Sequence, residues 1–270
     1  MNSLQDKPAV EVVRVVANDR VAEGVGLVAL HAARTAASIQ PGQFVHLRVA
    51  TGADIILRRP FSVHRVAGER IEILYQILGA GTLRLAEKAV GDSMDLVGPL
   101  GHGWDVPEGA SHALLVAGGL GAAPLGMLAE QLAKRGVAVA VAQGAPTASR
   151  LVARDLFTRV SRRVEVATDD GSAGERGFVT GPVSRLLAEE RFDAVFTCGP
   201  EPMQRIVAGM AHDVDIPCQV SLERLMGCGI GACLSCVVAT HDGSKRACVD
   251  GPVFDAREVG WDASETPPKH

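Results

Sequence analysis

The chain has 270 residues, which is enough for two domains and a small third one. Its formal net charge of −4 argues against a general affinity for nucleic acid. Hydrophobic residues make up 47% of the chain but aromatic residues only 4%, so Ala, Val, Leu and Ile must build most of the core.

No segment of the sequence predicts export or a membrane span. The N-terminal stretch MNSLQDKPAVEV is polar and lacks the apolar run of a signal peptide. The longest uncharged run, residues 113–129, contains four glycines and Pro124, which favours a strand, a turn and a helix over a membrane span. We therefore expect a cytoplasmic protein that does not bind membranes.

The sequence before about residue 100 predicts β-strands. Runs rich in β-branched residues follow one another, often with Gly, Pro or Asp between them, and read VEVVRVV, GVGLVALHA, QFVHLRVA, IEILYQI and SMDLVG. Short strands at this spacing are typical of an antiparallel barrel. No useful helical period occurs before Leu83.

After Gly103 predicted strands alternate with predicted helices, which indicates a doubly wound parallel sheet. The strands are expected at 112–119, 137–144, 163–170, 193–199 and 218–223, and the helices at 124–135, 151–160, 182–192 and 202–213. A loop and a hairpin should follow, and the polar residues 261–270 should fray. The predicted class is β plus α/β, with a barrel domain at 1–105, an α/β domain at 106–216 and a small C-terminal loop domain at 217–270.

Two motifs in the barrel region could bind a flavin nucleotide. In Arg59-Pro60-Phe61-Ser62, predicted at a strand end, the Arg could neutralise a pyrophosphate, the Phe could pack on a ring and the Ser could hydrogen-bond. The turn Gly79-Ala80-Gly81-Thr82 precedes a predicted helix, where anions bind. Taken alone, the Arg59 motif could be an Arg-rich strand end on the surface, and the Gly79 turn could be an ordinary turn with Thr82 as the N-cap of the helix. Taken together, the two motifs favour phosphate binding.

Two turns of the α/β region suggest a nicotinamide nucleotide site. The segment from Gly118 to Pro124, GGLGAAP, lies between a strand and a helix, as the dinucleotide fingerprint requires, although Pro replaces its last position. The segment CGPEPM begins at Cys198 and ends a later strand. Ligands bind at the carboxyl ends of such strands, so both turns should face one crevice. Cys198 could instead be a buried structural cysteine, and Cys218 is interpreted only in that way.

Four cysteines near the C-terminus predict an iron–sulfur cluster. Their spacing is C-x4-C-x2-C-x11-C, and its first part is the plant-type [2Fe–2S] spacing. Small residues between them allow a tight loop whose N–H groups point at sulfur. Zinc is the main alternative, because four thiolates also suit zinc, although such sites usually have paired C-x2-C motifs. Disulfides among the six cysteines are a further alternative.

These motifs resemble the electron-transfer subunits of type B dihydroorotate dehydrogenase, in the ferredoxin-reductase superfamily. The similar segments span about residues 10–261 and read RRPFS, GAGT, GPLGHGW, AGGLGAAPL, TDDGSAG, CGPEPM, CGIGACLSC and CVDGPVFD. The last two are the specific part. Cys228 stands where related transhydrogenase and sulfide-dehydrogenase subunits commonly have Asp, which favours the orotate family.

The resemblance implies a set of binding residues and no acid or base catalyst. FAD would be bound by Arg59, Pro60, Phe61, Ser62, Leu74, Tyr75 and Gln76, and its phosphates by Gly81 and Thr82. The nicotinamide cofactor would be bound by Gly118, Gly119, Gly121, Cys198, Gly199 and Pro200. The [2Fe–2S] ligands would be Cys228, Cys233, Cys236 and Cys248.

The resemblance also implies an oxidoreductase subunit of pyrimidine biosynthesis. A separate FMN-containing catalytic subunit, joined with this chain in a heterotetramer, would oxidise dihydroorotate. Electrons would pass through the [2Fe–2S] cluster and FAD to NAD+ as a soluble co-substrate. A flavin suits this position because it exchanges electron pairs with nicotinamide and single electrons with a cluster.

Other functions remain open from the residues alone. The chain could be an NAD(P)H-dependent reductase subunit for ferredoxin, sulfur compounds or an oxygenase, although the segment after Cys218 is too short for a complete ferredoxin domain. It could also be a redox-sensing or zinc-binding regulator. Arg150 and Arg154 could meet the 2′-phosphate of NADP or could be solvated helix charges, so the choice between NAD and NADP is open.

Overall fold

The computed structural model describes residues 8–50 and 55–261. The predictions for most of the N-terminal stretch and for the last nine residues therefore lie outside the described part of the chain. Within that part, no helix is both long enough and apolar enough to cross a bilayer.

The first half is an antiparallel sheet that encloses its own apolar core. Its seven strands are β1 (Ala9–Ala22), β2 (Val25–His31), β3 (Phe44–Arg48), β4 (Arg59–Ser62), β5 (Arg65–Ala67), β6 (Arg70–Gln76) and β7 (Ser93–Leu100). They lie in the order β4-β3-β7-β1-β2-β6-β5, and each pair of neighbours is antiparallel. Alternate residues point inward, so Val45 and Leu47 of β3 join the same core as Ile71 and Ile73 of β6.

Two short helices interrupt this half, α1 (Ala33–Ser38) and α2 (Ala80–Ala86). The sequence shows no useful helical period before Leu83, and it therefore did not predict α1 or the first residues of α2. The carboxylate of Glu11 on β1 accepts the backbone N–H groups of Arg34 and Thr35, both at 3.0 Å, and the Thr35 hydroxyl at 2.6 Å. A neighbouring strand therefore caps α1, and a local sequence pattern does not contain that information.

The second half is the predicted parallel sheet with helices between its strands. Its strands are β8 (His112–Gly118), β9 (Ala138–Ala145), β10 (Arg163–Thr168), β11 (Glu175–Arg176), β12 (Ala194–Cys198) and β13 (Cys218–Ser221). The order β11-β10-β9-β8-β12-β13 reverses direction between β8 and β12. This is the topological switch point at which such sheets bind ligands.

The helices of this half are α3 (Ala122–Lys134), α4 (Arg154–Val160), α5 (Thr180–Glu189) and α6 (Glu201–Asp213). Gly136, at φ 76°, follows the end of α3, where the left-handed conformation that ends a helix favours glycine. Helix α4 begins later than predicted because Ala153 is left-handed, at φ 59°, and separates the buried Leu151 and Val152 from the helix.

The C-terminal segment contains the predicted hairpin and one strand that was not predicted. The hairpin pairs β14 (Val237–Thr240) with β15 (Gly243–Arg246), and β16 (Val253–Asp255) then pairs antiparallel with β13 at the edge of the parallel sheet. The boundary between residues 216 and 217 stays a prediction. The predicted class, an antiparallel barrel half, a parallel α/β half and a C-terminal iron–sulfur segment, is confirmed.

The two halves pack against each other directly. The indole N–H of Trp104 donates to the Pro124 carbonyl at 3.0 Å, and Nδ1 of His64 lies 3.0 Å from the Ala123 carbonyl. Burial lowers the pKa of His64 to about 4, so the neutral ring donates this bond. The start of α3 is thereby fixed against the barrel, immediately after the glycine-rich turn.

Candidate cofactor sites and metal centre

The RPFS motif was predicted at the end of a strand, and in the structure it forms the whole of the short strand β4. Phe61 faces the barrel core, where its ring meets Tyr75 edge-on with centroids 6.4 Å apart. The Tyr75 hydroxyl donates to Oδ1 of Asn18 at 2.8 Å, and burial raises the pKa of Tyr75. Leu74 and Tyr75 are buried, so of the three predicted β6 residues only Gln76 keeps a partly exposed side chain. Contacts from Leu74 to a ligand would come from its backbone.

Arg59 places a cation beside the Gly79–Thr82 turn. Its Nη1 donates to the carbonyls of Leu57 at 2.7 Å and Arg58 at 3.3 Å. A Cβ at Gly81 would lie 2.9 Å from Arg59 Nε, so only glycine leaves this guanidinium in place. In the described ranges no carboxylate pairs with Arg59, whereas neighbouring Arg58 pairs with Asp95. An uncompensated guanidinium over a glycine turn suits a phosphate group.

Thr82 is the third residue of α2 and not its N-cap. The helix begins at Ala80 after Gly79, and Thr82 Oγ1 accepts the backbone N–H groups of Leu78 at 2.9 Å and Gly79 at 3.2 Å. The hydroxyl therefore holds the turn beside Arg59 in shape.

The two predicted nucleotide turns meet at the switch point. A Cβ at Gly199 would lie 2.9 Å from the Cα of Gly118, and one at Gly121 would overlap the carbonyl of Cys198. Gly119, at φ 55°, has open space where a Cβ would stand. The two turns are therefore adjacent at the carboxyl ends of β8 and β12. That they line one nucleotide crevice, where the glycines would let a ligand approach the backbone closely, stays a prediction.

Two polar residues of this crevice were absent from the sequence prediction. Gln204 Nε2 donates to the carbonyls of Gly199 at 2.7 Å and Ser221 at 3.0 Å, joining the ends of β12 and β13. Glu223 follows β13 and is exposed. Burial, and secondarily the charge of Glu223, raise the pKa of the Cys198 thiol. Only the position of Glu223 at the end of the predicted strand 218–223 could have indicated its place.

The cysteine loop folds around the sulfur of Cys228. The backbone N–H groups of Ile230, Ala232 and Cys233 donate to Cys228 Sγ at 3.5, 3.2 and 3.4 Å. Gly229 and Gly231 adopt φ of 71° and 83°, which turns the backbone inward. Several N–H donors on one sulfur stabilise a thiolate, which is the form that ligates metals.

The four thiols interact as two pairs. The Ser235 hydroxyl lies 3.1 Å from Cys233 Sγ. Hydrogen bonds from Ser235, and to a lesser extent from Cys228, lower the pKa of Cys233 to about 6. Burial, followed by the neighbouring thiol of Cys236, raises the pKa of Cys248 to about 12. Two pairs of thiols fit a two-iron cluster in which each iron takes two protein ligands.

The structure contains none of the disulfides that the sequence left open, and the choice between iron–sulfur and zinc is not made by it. All six are free thiols, with no disulfide. Across residues 8–50 and 55–261, no three His, Cys, Asp or Glu side chains are grouped tightly enough for one metal ion. The assignment of Cys228, Cys233, Cys236 and Cys248 as ligands therefore stays a prediction from their spacing and their loop.

Comparison with known proteins covers most of the chain. Residues 223–260 match the family model of the iron-sulfur cluster binding domain of dihydroorotate dehydrogenase B. The chain is 40% identical over 228 residues to the dihydroorotate dehydrogenase B (NAD(+)) electron transfer subunit of Desulforamulus reducens, covering 82% of this chain and 87% of that protein. The corresponding subunit of Geobacillus thermodenitrificans is 39% identical over 252 residues, which cover 91% of this chain and 96% of that protein.

Solved structures show the same architecture. A chain of an NADH-dependent reduced ferredoxin–NADP oxidoreductase superimposes with a TM-score of 0.84 at 33% identity, covering 92% of this chain and 90% of that one. The ferredoxin reductase of carbazole 1,9a-dioxygenase superimposes with a TM-score of 0.65 at 20% identity, covering 78% of this chain and 67% of that one. At this identity the similarity shows only that the fold is shared.

Proposed function

Because the chain belongs to the family of electron transfer subunits of NAD(+)-dependent dihydroorotate dehydrogenase B, we propose that it delivers electrons from dihydroorotate oxidation to NAD+. The observation that carries this proposal is the cysteine loop, which lies within the matched residues 223–260 and has Cys228 at its first ligand position. The partner would be the FMN-containing catalytic subunit, in a heterotetramer. FAD, a [2Fe–2S] cluster and NAD are its cofactors.

The residues of this chain bind and orient these groups and supply no acid or base. Arg59 and the Gly79–Thr82 turn would hold the phosphates of FAD. Gly118, Gly119 and Gly121 would let NAD approach the switch point. When bound, FAD exchanges electron pairs with nicotinamide and single electrons with an iron–sulfur cluster.

We also propose that the surface of the cysteine loop is where the catalytic subunit binds. Five apolar side chains around the loop are exposed, Leu225, Ile230, Leu234, Val237 and Val249. Val249 lies beside Gly231, so this surface is continuous with the ligand loop. Exposed apolar groups gathered at one site indicate an interface, and one here would bring the cluster close to the partner's electron donor.

Leu234 provides a test of this interface. It is 62% exposed and left-handed, at φ 57°, a conformation that favours Asn over Leu. We expect Leu234→Asn to keep its iron and to weaken binding of the catalytic subunit about tenfold, because a buried leucine contributes about 1.5–3 kcal/mol. Titration calorimetry measures the affinity. Ile206→Asn, at an exposed apolar site on α6, serves as control, and equal affinities for both variants would contradict the assignment.

The proposed function is tested with the purified chain and its partner. We expect FAD, iron and acid-labile sulfide in the isolated chain, oxidation of NADH with artificial acceptors, and no oxidation of dihydroorotate. Addition of the catalytic subunit should produce NAD+-linked dihydroorotate oxidation. Stoichiometric zinc without iron would contradict the proposal. Reduction of ferredoxin without any activity toward dihydroorotate would favour a reductase like the one whose structure is similar.

A cytoplasmic location is also proposed, because soluble NAD+ must reach the switch-point crevice. Fractionation of cells that produce the tagged complex can test it.

A further inference from the structure

The outer face of β3 meets the cysteine segment. Residues alternate along the strand, so Val45 and Leu47 face the barrel core while Phe44 and His46 face the other way. Phe44 packs in the same apolar core as Cys236 and Cys248. This face of the barrel is thus in contact with the segment that holds the predicted ligands.

His46 lies between the cysteine loop and the RPFS strand. A Cβ at Gly229 would stand 2.6 Å from Nδ1 of His46 and 3.1 Å from its Cγ, so the ring packs directly on the backbone beside Cys228. In the sheet, His46 is the direct partner of Pro60 in β4. His46 therefore pairs through its backbone with the strand assigned to FAD, while its imidazole packs on the loop assigned to the cluster.

The polar atoms of His46 are unexplained by the protein alone. The residue is 0% exposed. The backbone of Cys228 and of Arg58 lies near the ring, but neither Nδ1 nor Nε2 makes a well-formed hydrogen bond in the described part of the chain. An imidazole ring carries at least one N–H donor whichever tautomer it adopts. A buried donor without an acceptor is costly and rare, which indicates an acceptor that binds here.

We propose that His46 is a positioning residue that donates its ring N–H to a sulfur of the iron–sulfur cluster and raises the reduction potential of that cluster. This rests on the proposed function, which supplies the cluster. The ring packs on the loop residue Gly229, next to the predicted ligand Cys228. Reduction adds negative charge to the cluster, so a hydrogen bond to sulfur stabilises the reduced form more strongly.

The first test compares His46→Leu with His46→Gln in the full chain, with His212→Leu as control on the exposed end of α6. Redox titration followed by electron paramagnetic resonance measures the cluster potential. We expect the ratio of reduced to oxidised cluster at a fixed potential to be about tenfold lower in the Leu variant than in wild type. For a one-electron couple, this corresponds to a cluster potential lower by about 59 mV. The Gln variant, which keeps an N–H donor, should recover most of this shift, and the FAD potential should not move. An iron-replete Leu variant with the wild-type cluster potential would overturn the proposal.

A second measurement covers the case in which the Leu variant loses its cluster. Wild-type protein labelled with 15N only in its histidine rings is reduced and studied by electron spin echo envelope modulation. A ring 15N coupled to the cluster, and lost in an iron-replete His46→Gln variant, would support the proposal. If iron-replete wild type shows no such coupling, the role of His46 is refuted, but the proposed function is not. Wild type that contains no iron would refute the proposed function, and this inference with it.

Discussion

Replacing Cys233 by Ser should abolish NAD+-linked dihydroorotate oxidation by the two-subunit complex, while NADH still reduces FAD. Cys233 lies at the exposed end of the ligand loop, and its pKa of about 6 makes it a thiolate at neutral pH. A serine hydroxyl stays protonated there and is a poor ligand for iron. Hydride transfer between NADH and FAD does not need the cluster, so stopped-flow reduction of FAD should proceed at the wild-type rate.

Cys218→Ser is the matched control for this loss. Cys218 is buried at the start of β13, outside the loop, so the variant should keep its iron and its turnover with only a modest loss of stability. In contrast, we expect Cys233→Ser to lose iron, and we expect the same of Ser substitutions at Cys228, Cys236 and Cys248. Full turnover by an iron-free complex would overturn the assigned electron route.

Arg59→Ala should lower the affinity for FAD about 10–100-fold and leave the cluster spectrum intact. The reason is the loss of charge-assisted hydrogen bonds, each contributing about 1.5–3 kcal/mol. The cysteine loop lies in another segment of the chain, so its iron content should not change. Equilibrium dialysis of the FAD-depleted protein measures the dissociation constant.

Arg58→Ala removes the adjacent guanidinium and serves as the comparison. Arg58 pairs with Asp95 on β7, so its loss should reduce stability while FAD affinity stays near the wild-type value. Equal loss of FAD in both variants would show a general effect of charge, and unchanged binding in Arg59→Ala would refute the assignment of Arg59.

Features coded by neighbouring residues were predictable from the sequence. The strand and helix alternation after Gly103, the turns at Gly118 and Cys198 and the cysteine loop each depend on residues close together in the chain. The adjacency of the two turns followed from the geometry of parallel sheets, in which carboxyl ends of strands share an edge.

Features that depend on distant residues were missed. Helix α1 needs Glu11 from another strand, and β16 is a strand only because β13 offers it an edge. His46 occurs in an ordinary strand pattern, and only the fold places its ring against Gly229. The edge contact between the rings of Phe61 and Tyr75 was also not predicted, and the contact of Phe61 with a ligand ring stays a prediction.

The edge strand β16 also limits how this protein can be divided. It ties the end of the cysteine segment to β13, and the backbone N–H of His102 donates to the Gly251 carbonyl at 2.5 Å, reaching toward the barrel. Phe44 fills the same core from the other side. An iron–sulfur cassette cut out at residue 217 would carry away β13 and leave its sheet neighbour β12 with an open apolar edge. Grafting this electron carrier onto another flavoprotein would therefore require transplanting the sheet edge and the outer face of β3 together with the loop.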